Sequence, residues 1–184
     1  MPLDDPNLVE LQNPASMNAT VIRYGLIGGL MFIIVALIGN LTGFSSPSNM
    51  MSIFFNMVVG IILFVGLMVV TIRHHRDKDL GGYITFGRAF LVGLLVVLIA
   101  GTLSNLFNYF YITVIDPEYM TNMMRDMQGM YENFGMSEEQ IEAAMAQVEN
   151  LTPARIMLQG LIGQLVMGSV VAAIVAAIMK RKPE

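Results

Sequence analysis

Residues 50–79 read MMSIFFNMVVGIILFVGLMVVTIRHHRDKD, and this stretch decides the fold. From Met50 to Ile72 no side chain carries a charge; then Arg73, His74, His75, Arg76, Asp77, Lys78 and Asp79 arrive together. A helix of about 20 apolar residues, rising about 1.5 Å per residue, matches the roughly 30 Å hydrocarbon core of a bilayer. Basic residues crowded at its end mark a membrane boundary.

Three more runs of this kind flank it. One goes from Val21 to Phe44, interrupted by Arg23 and Asn40, and another from Ile84 to Ile115. The last covers Ile156 to Met179 and stops at Lys180-Arg181-Lys182. The third run, about 46 Å long as a straight helix, exceeds the hydrocarbon core and has to tilt, kink or project. The whole 184-residue chain is 55% hydrophobic and 13% charged, against roughly 25% charged in soluble domains. It has no cysteine, which excludes disulfides, thiol catalysis and thiolate-held metals. The fold expected is therefore an all-α integral membrane protein with four transmembrane helices, about 21–44, 50–72, 84–115 and 156–179. A flexible tail, 1–18, precedes this 19–184 transmembrane domain; its acids Asp4, Asp5 and Glu10 are the wrong flank for a signal peptide. The start of the chain is left open between Met1 and Met17.

Orientation follows from the short basic flanks. With four spans, Arg23, Arg73, Arg76, Lys78, Arg88 and Lys180 to Lys182 share one side with both termini. The other side holds Arg125 and Arg155 against eight carboxylates between Asp116 and Glu149. Both termini are expected in the cytoplasm and 116–153 in the periplasm of a bacterial inner membrane.

The 116–153 segment reads as an extramembrane amphipathic helical hairpin. Asp116 is expected to cap a first helix, with Pro117 at its first position. Met120, Met123, Met124, Met127, Met130, Tyr131 and Phe134 then recur at helical spacing, and Gly135 ends the helix. Ser137-Glu138-Glu139-Gln140 is a capping box for a second helix, striped by Ile141, Ala144, Met145, Val148 and Leu151. Thr152-Pro153 starts the fourth span with the same device. Met120, Met123, Met124, Met127 and Met130 form a candidate partner surface, because methionines repack readily around other proteins. Thioethers also select Cu(I), but a chain with 17 methionines uses them as ordinary apolar filler, and no metal or cofactor is expected.

No ionisable group lies in the middle of a span, which disfavours a proton pump or charge relay. Amides do occur there. Asn56, Asn105, Asn108, Gln159 and Gln164, with Asn40, fall in the outer half of the membrane and form a candidate polar cluster; interhelical hydrogen bonding is its simplest role. Gly25 and Gly29, Ala89 and Gly93, and Gly168, Ala172 and Ala176 are small-residue pairs and stripes suited to close helix approach, within one chain or between copies. At the inner boundary Gly81, Gly82, Tyr83 and Arg88 form an interfacial turn, with glycines for the bend, Tyr83 and Phe86 as anchors and Arg88 snorkelling. His74 and His75, adjacent and without a third ligand, are expected among the arginines near anionic headgroups. Residues 82–89, GYITFGRA, echo a phosphate-binding loop only superficially, with Arg for its Lys, Ala for its Ser or Thr, and no preceding strand.

Asp79-Leu80-Gly81-Gly82-Tyr83-Ile84-Thr85-Phe86-Gly87-Arg88-Ala89-Phe90, then Asn108-Tyr109, Ile115-Asp116-Pro117 and Gly135-Met136-Ser137-Glu138-Glu139-Gln140-Ile141, together resemble one family, domain of unknown function 4199. The resemblance spans about Asn18 to Lys182 and implies a bacterial four-span membrane protein; it implies no activity. The tail before Met17 and the methionine density of 120–130 depart from that pattern.

The function expected is a non-enzymatic accessory, assembly or interaction subunit of a membrane complex. Its partners would be the bilayer and other membrane proteins or further copies of itself, with no nucleic acid. The alternative is a small transporter or channel using the outer amides.

Overall fold

The computed structural model describes residues 14–43 and 50–181. The described residues are almost entirely helical. Six α-helices follow in order: α1 Pro14–Leu41, α2 Met50–His74, α3 Phe86–Phe110, α4 Tyr119–Asn133, α5 Glu138–Glu149 and α6 Pro153–Met179. Four segments are long and apolar enough to cross a membrane: Met17–Leu41, Met51–Asp79, Phe86–Ile115 and Pro153–Met179. Their outward faces are lined with exposed Ile22, Leu26, Leu30 and Ile34 on α1 and Ile162, Leu165, Val166 and Val170 on α6. Water does not tolerate so much contiguous apolar surface. The chain is a multi-pass membrane protein.

Two boundaries differ from the sequence expectation. Helix α1 begins at Pro14, inside the segment expected as tail, because Pro is accommodated in a first helical turn and Ala15 to Thr20 contain no breaker. The tail before Pro14, the Ser45–Asn49 turn and Lys182 lie outside the described residues. The long third run is not one α-helix: α3 stops at Phe110 and Tyr111–Ile115 continue as a π-helical turn. That wider turn buries Tyr111 and Ile112. A second π turn, His75–Asp79, extends α2 beyond the apolar run.

Helix α3 is the hub. It packs most extensively on α6 and α1 and less on α2, while α1 and α2 touch little. Small residues explain this ranking. A β-carbon at Gly29 of α1 would stand 3.0 Å from Leu103 Cβ and 3.1 Å from the Ala100 carbonyl oxygen, and one at Gly25 only 2.8 Å from Ile99 Cβ. Only glycine permits that approach. Gly93 of α3 faces Ala172 of α6, and Gly168, Ala172 and Ala176 are buried. The small-residue stripes are thus used inside the chain, leaving van der Waals packing of backbones as the main cohesion where hydrocarbon offers no hydrophobic drive.

Helix α2 is joined unevenly. Its C-terminal third buries Leu67, Met68, Thr71 and Ile72, but no described residue between Met51 and Gly66 is buried. The N-terminal part of α2 therefore stands away from α1, and a cleft of about 370 Å³ opens between them, lined by Phe32, Val35, Ala36, Asn56, Gly60 and Ser104 among others.

Candidate functional site

The best-built polar site lies at the end of the bundle where α1 begins and α6 ends, at the turn from α2 into α3. The π turn places His75 and Asp79 one turn apart and directs both inward. His75 is fully buried. Its Nδ1 lies 2.7 Å from Asp79 Oδ2, and Thr20 of α1 donates its hydroxyl to the same oxygen at 2.7 Å. From α3, Arg88 Nε donates to His75 Nε2 at 3.0 Å. A guanidinium has no acceptor, so Nε2 must accept and the imidazole proton must sit on Nδ1, donated to Asp79. The result is a chain of groups, guanidinium to neutral imidazole to carboxylate to hydroxyl, that ties three helices together. Among the described residues no buried side-chain polar atom is left without a partner.

Beside this relay the corner is closed by backbone. Gly81 and Gly82 both adopt positive φ, 64° and 97°, and the Gly82 amide donates to the Arg76 carbonyl at 2.8 Å. Ile84 and Arg181 form an antiparallel bridge, with N–H to O distances of 3.0 and 2.9 Å. Thr85 caps α3 by accepting from the Arg88 amide. The glycine turn lies where the sequence placed it, and Tyr83 is exposed. Arg88, expected to snorkel toward headgroups, instead turns inward to His75. His75 is likewise not among headgroups but sealed in the core, where it continues the buried face of Met68, Thr71 and Ile72 at ordinary helical spacing. His74 remains half-buried, 5.1 Å from the Tyr24 ring. Thr20 and Asp79 were not recognised from the sequence. The available signal was the His75–Asp79 spacing of four, a facing pair on any helix.

Two of the amides are brought together. Asn105 and Gln164 meet at the α3–α6 interface, where Asn105 Nδ2 donates to Gln164 Oε1 at 3.5 Å and to the Gly101 carbonyl at 2.9 Å. Gln164 Nε2 in turn donates to the Val97 carbonyl. Gly101 and Gly160 leave the notches these side chains occupy. Asn56 lines the cleft and donates to the Ser52 carbonyl at 2.8 Å. Asn108 is half-buried and Gln159 exposed, both outside the Asn105–Gln164 pair.

At the opposite end α3 passes to α4 through a ladder of rings, Phe107 to Tyr111 at 6.4 Å and Tyr111 to Tyr119 at 6.1 Å, edge to face. Burial pushes the Tyr119 hydroxyl above its ordinary pKa, helped by Tyr111 and Asp116. Asp116 does not cap α4 as expected: residues 117 and 118 form a turn, the helix begins at Tyr119, and the Asp116 amide donates back to the Tyr111 carbonyl at 2.9 Å. The π turn extends the preceding helix and displaces the cap by two residues. Ser137 and Gln140 do form their reciprocal box at the start of α5, and Thr152 caps α6 with Pro153 behind it. Met120, Met123, Met124, Met127 and Met130 are all half-buried on α4, and the principal contact of α4 is with α5. No group of three or more His, Asp or Glu suited to a metal occurs among the described residues.

Compared with known families, residues 23–181 match the model described as "Protein of unknown function (DUF4199)". The chain belongs to the DUF4199 family. That match takes in three spans whole, the first span from residue 23 on and both π turns of this DUF4199 protein, including the relay residues His75, Asp79 and Arg88, and leaves out Thr20. No curated protein and no solved structure matches this DUF4199 chain.

Proposed function

We propose that this protein is a non-enzymatic accessory or assembly subunit of a bacterial inner-membrane complex. In this reading both termini are cytoplasmic, and α4 and α5 form a periplasmic amphipathic hairpin that docks a partner. The observation that carries it is the methionine face of α4. Helix α4 makes its principal contact with α5 rather than with the four spans, and none of these five methionines is buried. Apolar area left in water costs about 25 cal/mol per Å², and a flexible thioether surface adapts to a protein that would cover it. The test is purification of the full chain from its native membrane in mild detergent, with quantitative mass spectrometry. A stoichiometric protein is expected with the wild type and lost with Met123→Ser/Met127→Ser, whose helix content and melting stay unchanged. A chain that purifies alone overturns the reading.

One observation favours a second reading, a small transporter or channel. The cleft between α1 and α2 carries Asn56 and Ser104 on an otherwise apolar wall, and its volume falls in the roughly 300–1,000 Å³ range of small-molecule sites. The engagement of Asn105 and Gln164 in helix packing moves any such role away from them. Loss of a solute phenotype in Asn56→Leu/Ser104→Ala, with stability intact, would support it.

A further inference from the structure

The corner between α2 and α3 holds positive charge that its own carboxylates do not neutralise. Its two acids are both engaged: Asp77 takes two hydrogen bonds from Arg76, at 2.7 and 3.2 Å, and Asp79 serves His75 and Thr20. Arg23, Arg73, Lys78, Lys180 and Arg181 are exposed, and none of them enters an ion pair among the described residues. Lys78, Lys180 and Arg181 stand at or just beyond the ends of membrane-spanning segments, and Arg23 and Arg73 lie within two helical turns of an end.

The arrangement is held in place by the fold. The backbone bridge between Ile84 and Arg181 pins the end of α6 to the corner, and Arg76 Nη1 reaches the Met179 carbonyl at 3.5 Å. Arg181 is thereby brought to the same side as Arg73, so that both guanidiniums act electrostatically on Asp77. Tyr83 and Phe86, each 45% exposed, stand at the same boundary, where aromatic rings settle at the headgroup level.

We propose that this corner is a binding site for the phosphate headgroup of an anionic phospholipid, with Arg73 and Arg181 as its main ligands and Lys78 and Lys180 in support. Guanidiniums bind phosphate oxygens as a bidentate fork. Cations fixed at the depth of the headgroups meet lipid phosphate before any soluble anion, and basic juxtamembrane clusters are drawn to anionic leaflets. The inference rests on the four-span membrane placement and is independent of the accessory role.

The test uses the full chain in nanodiscs of mixed phosphatidylglycerol and phosphatidylcholine, with native mass spectrometry of the lipids that stay bound on release. Phosphatidylglycerol should be enriched on the wild type, and the enrichment should fall about fivefold for each guanidinium lost in Arg73→Gln/Arg181→Gln. Arg125→Gln/Arg155→Gln, at the other end, should keep it. Equal retention of the two lipids overturns the proposal, as does enrichment that survives Arg73→Gln/Arg181→Gln. Preferential capture of a soluble acidic peptide over phosphatidylglycerol overturns it in favour of a protein partner. Since the bridge at Arg181 is made by backbone, the double variant should melt like the wild type; if it does not, Lys78→Gln/Lys180→Gln is the deciding variant, with a partial fall expected and full retention counting against the site.

Discussion

At the residue scale, Asp79 is the junction on which the α2–α3 corner depends. It accepts from a fully buried imidazole and from a nearly buried hydroxyl, so removing it strands both donors. Asp79→Leu is expected to lower stability by about 1–3 kcal/mol for each orphaned group, read as thermal unfolding in detergent. Thr20→Val leaves the His75–Asp79 bond in place and should cost about 1 kcal/mol. Equal melting temperatures for Asp79→Leu and the wild type would show that the relay is not structural. The relay also explains why its members were hard to see beforehand. A histidine beside arginines at a membrane boundary looks like a headgroup contact, although His75 shares a helical face with the buried Met68, Thr71 and Ile72; its partners Thr20 and Arg88 come from other helices, which local spacing does not reveal.

At the element scale, helix partnership is decided by where glycine lets backbones approach. Gly29→Val would drive branched carbons into Leu103 and the Ala100 carbonyl and should destabilise by about 1–3 kcal/mol. Gly66, also within a helix, has nothing within 4 Å of its would-be β-carbon. Gly66→Ala should be neutral or gain up to about 1 kcal/mol. Thermal melts of the two variants under the same detergent conditions check both; comparable losses would mean that overall helix propensity, not close packing, sets stability. The small-residue stripes were legible in the sequence, and their partners were not. Gly25 and Gly29 are compatible with a second copy or with any neighbouring helix, and only the bundle assigns them to α3. The caps at Ser137 and Thr152 were legible because a cap is a local hydrogen bond. The one at Asp116 was misplaced because the preceding π turn moved the helix start.

At the scale of the whole molecule, orientation is the property that composition addresses most directly. The absence of cysteine makes it testable with single introduced thiols. Glu142→Cys, on exposed α5, is expected to react with an impermeant maleimide added to intact spheroplasts, and Lys78→Cys only after lysis; the reverse pattern would invert the topology and place the methionine face in the cytoplasm. Four spans, their approximate limits and the basic corner follow from the sequence alone, because bilayer thickness dictates the length of an apolar run and charge stays out of hydrocarbon. The tertiary structure alone decided which helix is the hub, why α2 leans away to open a cleft, and that Asn105 pairs with Gln164 while Asn56 lines the cleft. Those outcomes depend on shape: in a bundle whose faces are all apolar, hydropathy no longer distinguishes one neighbour from another, and close backbone approach with matched polar groups makes the choice.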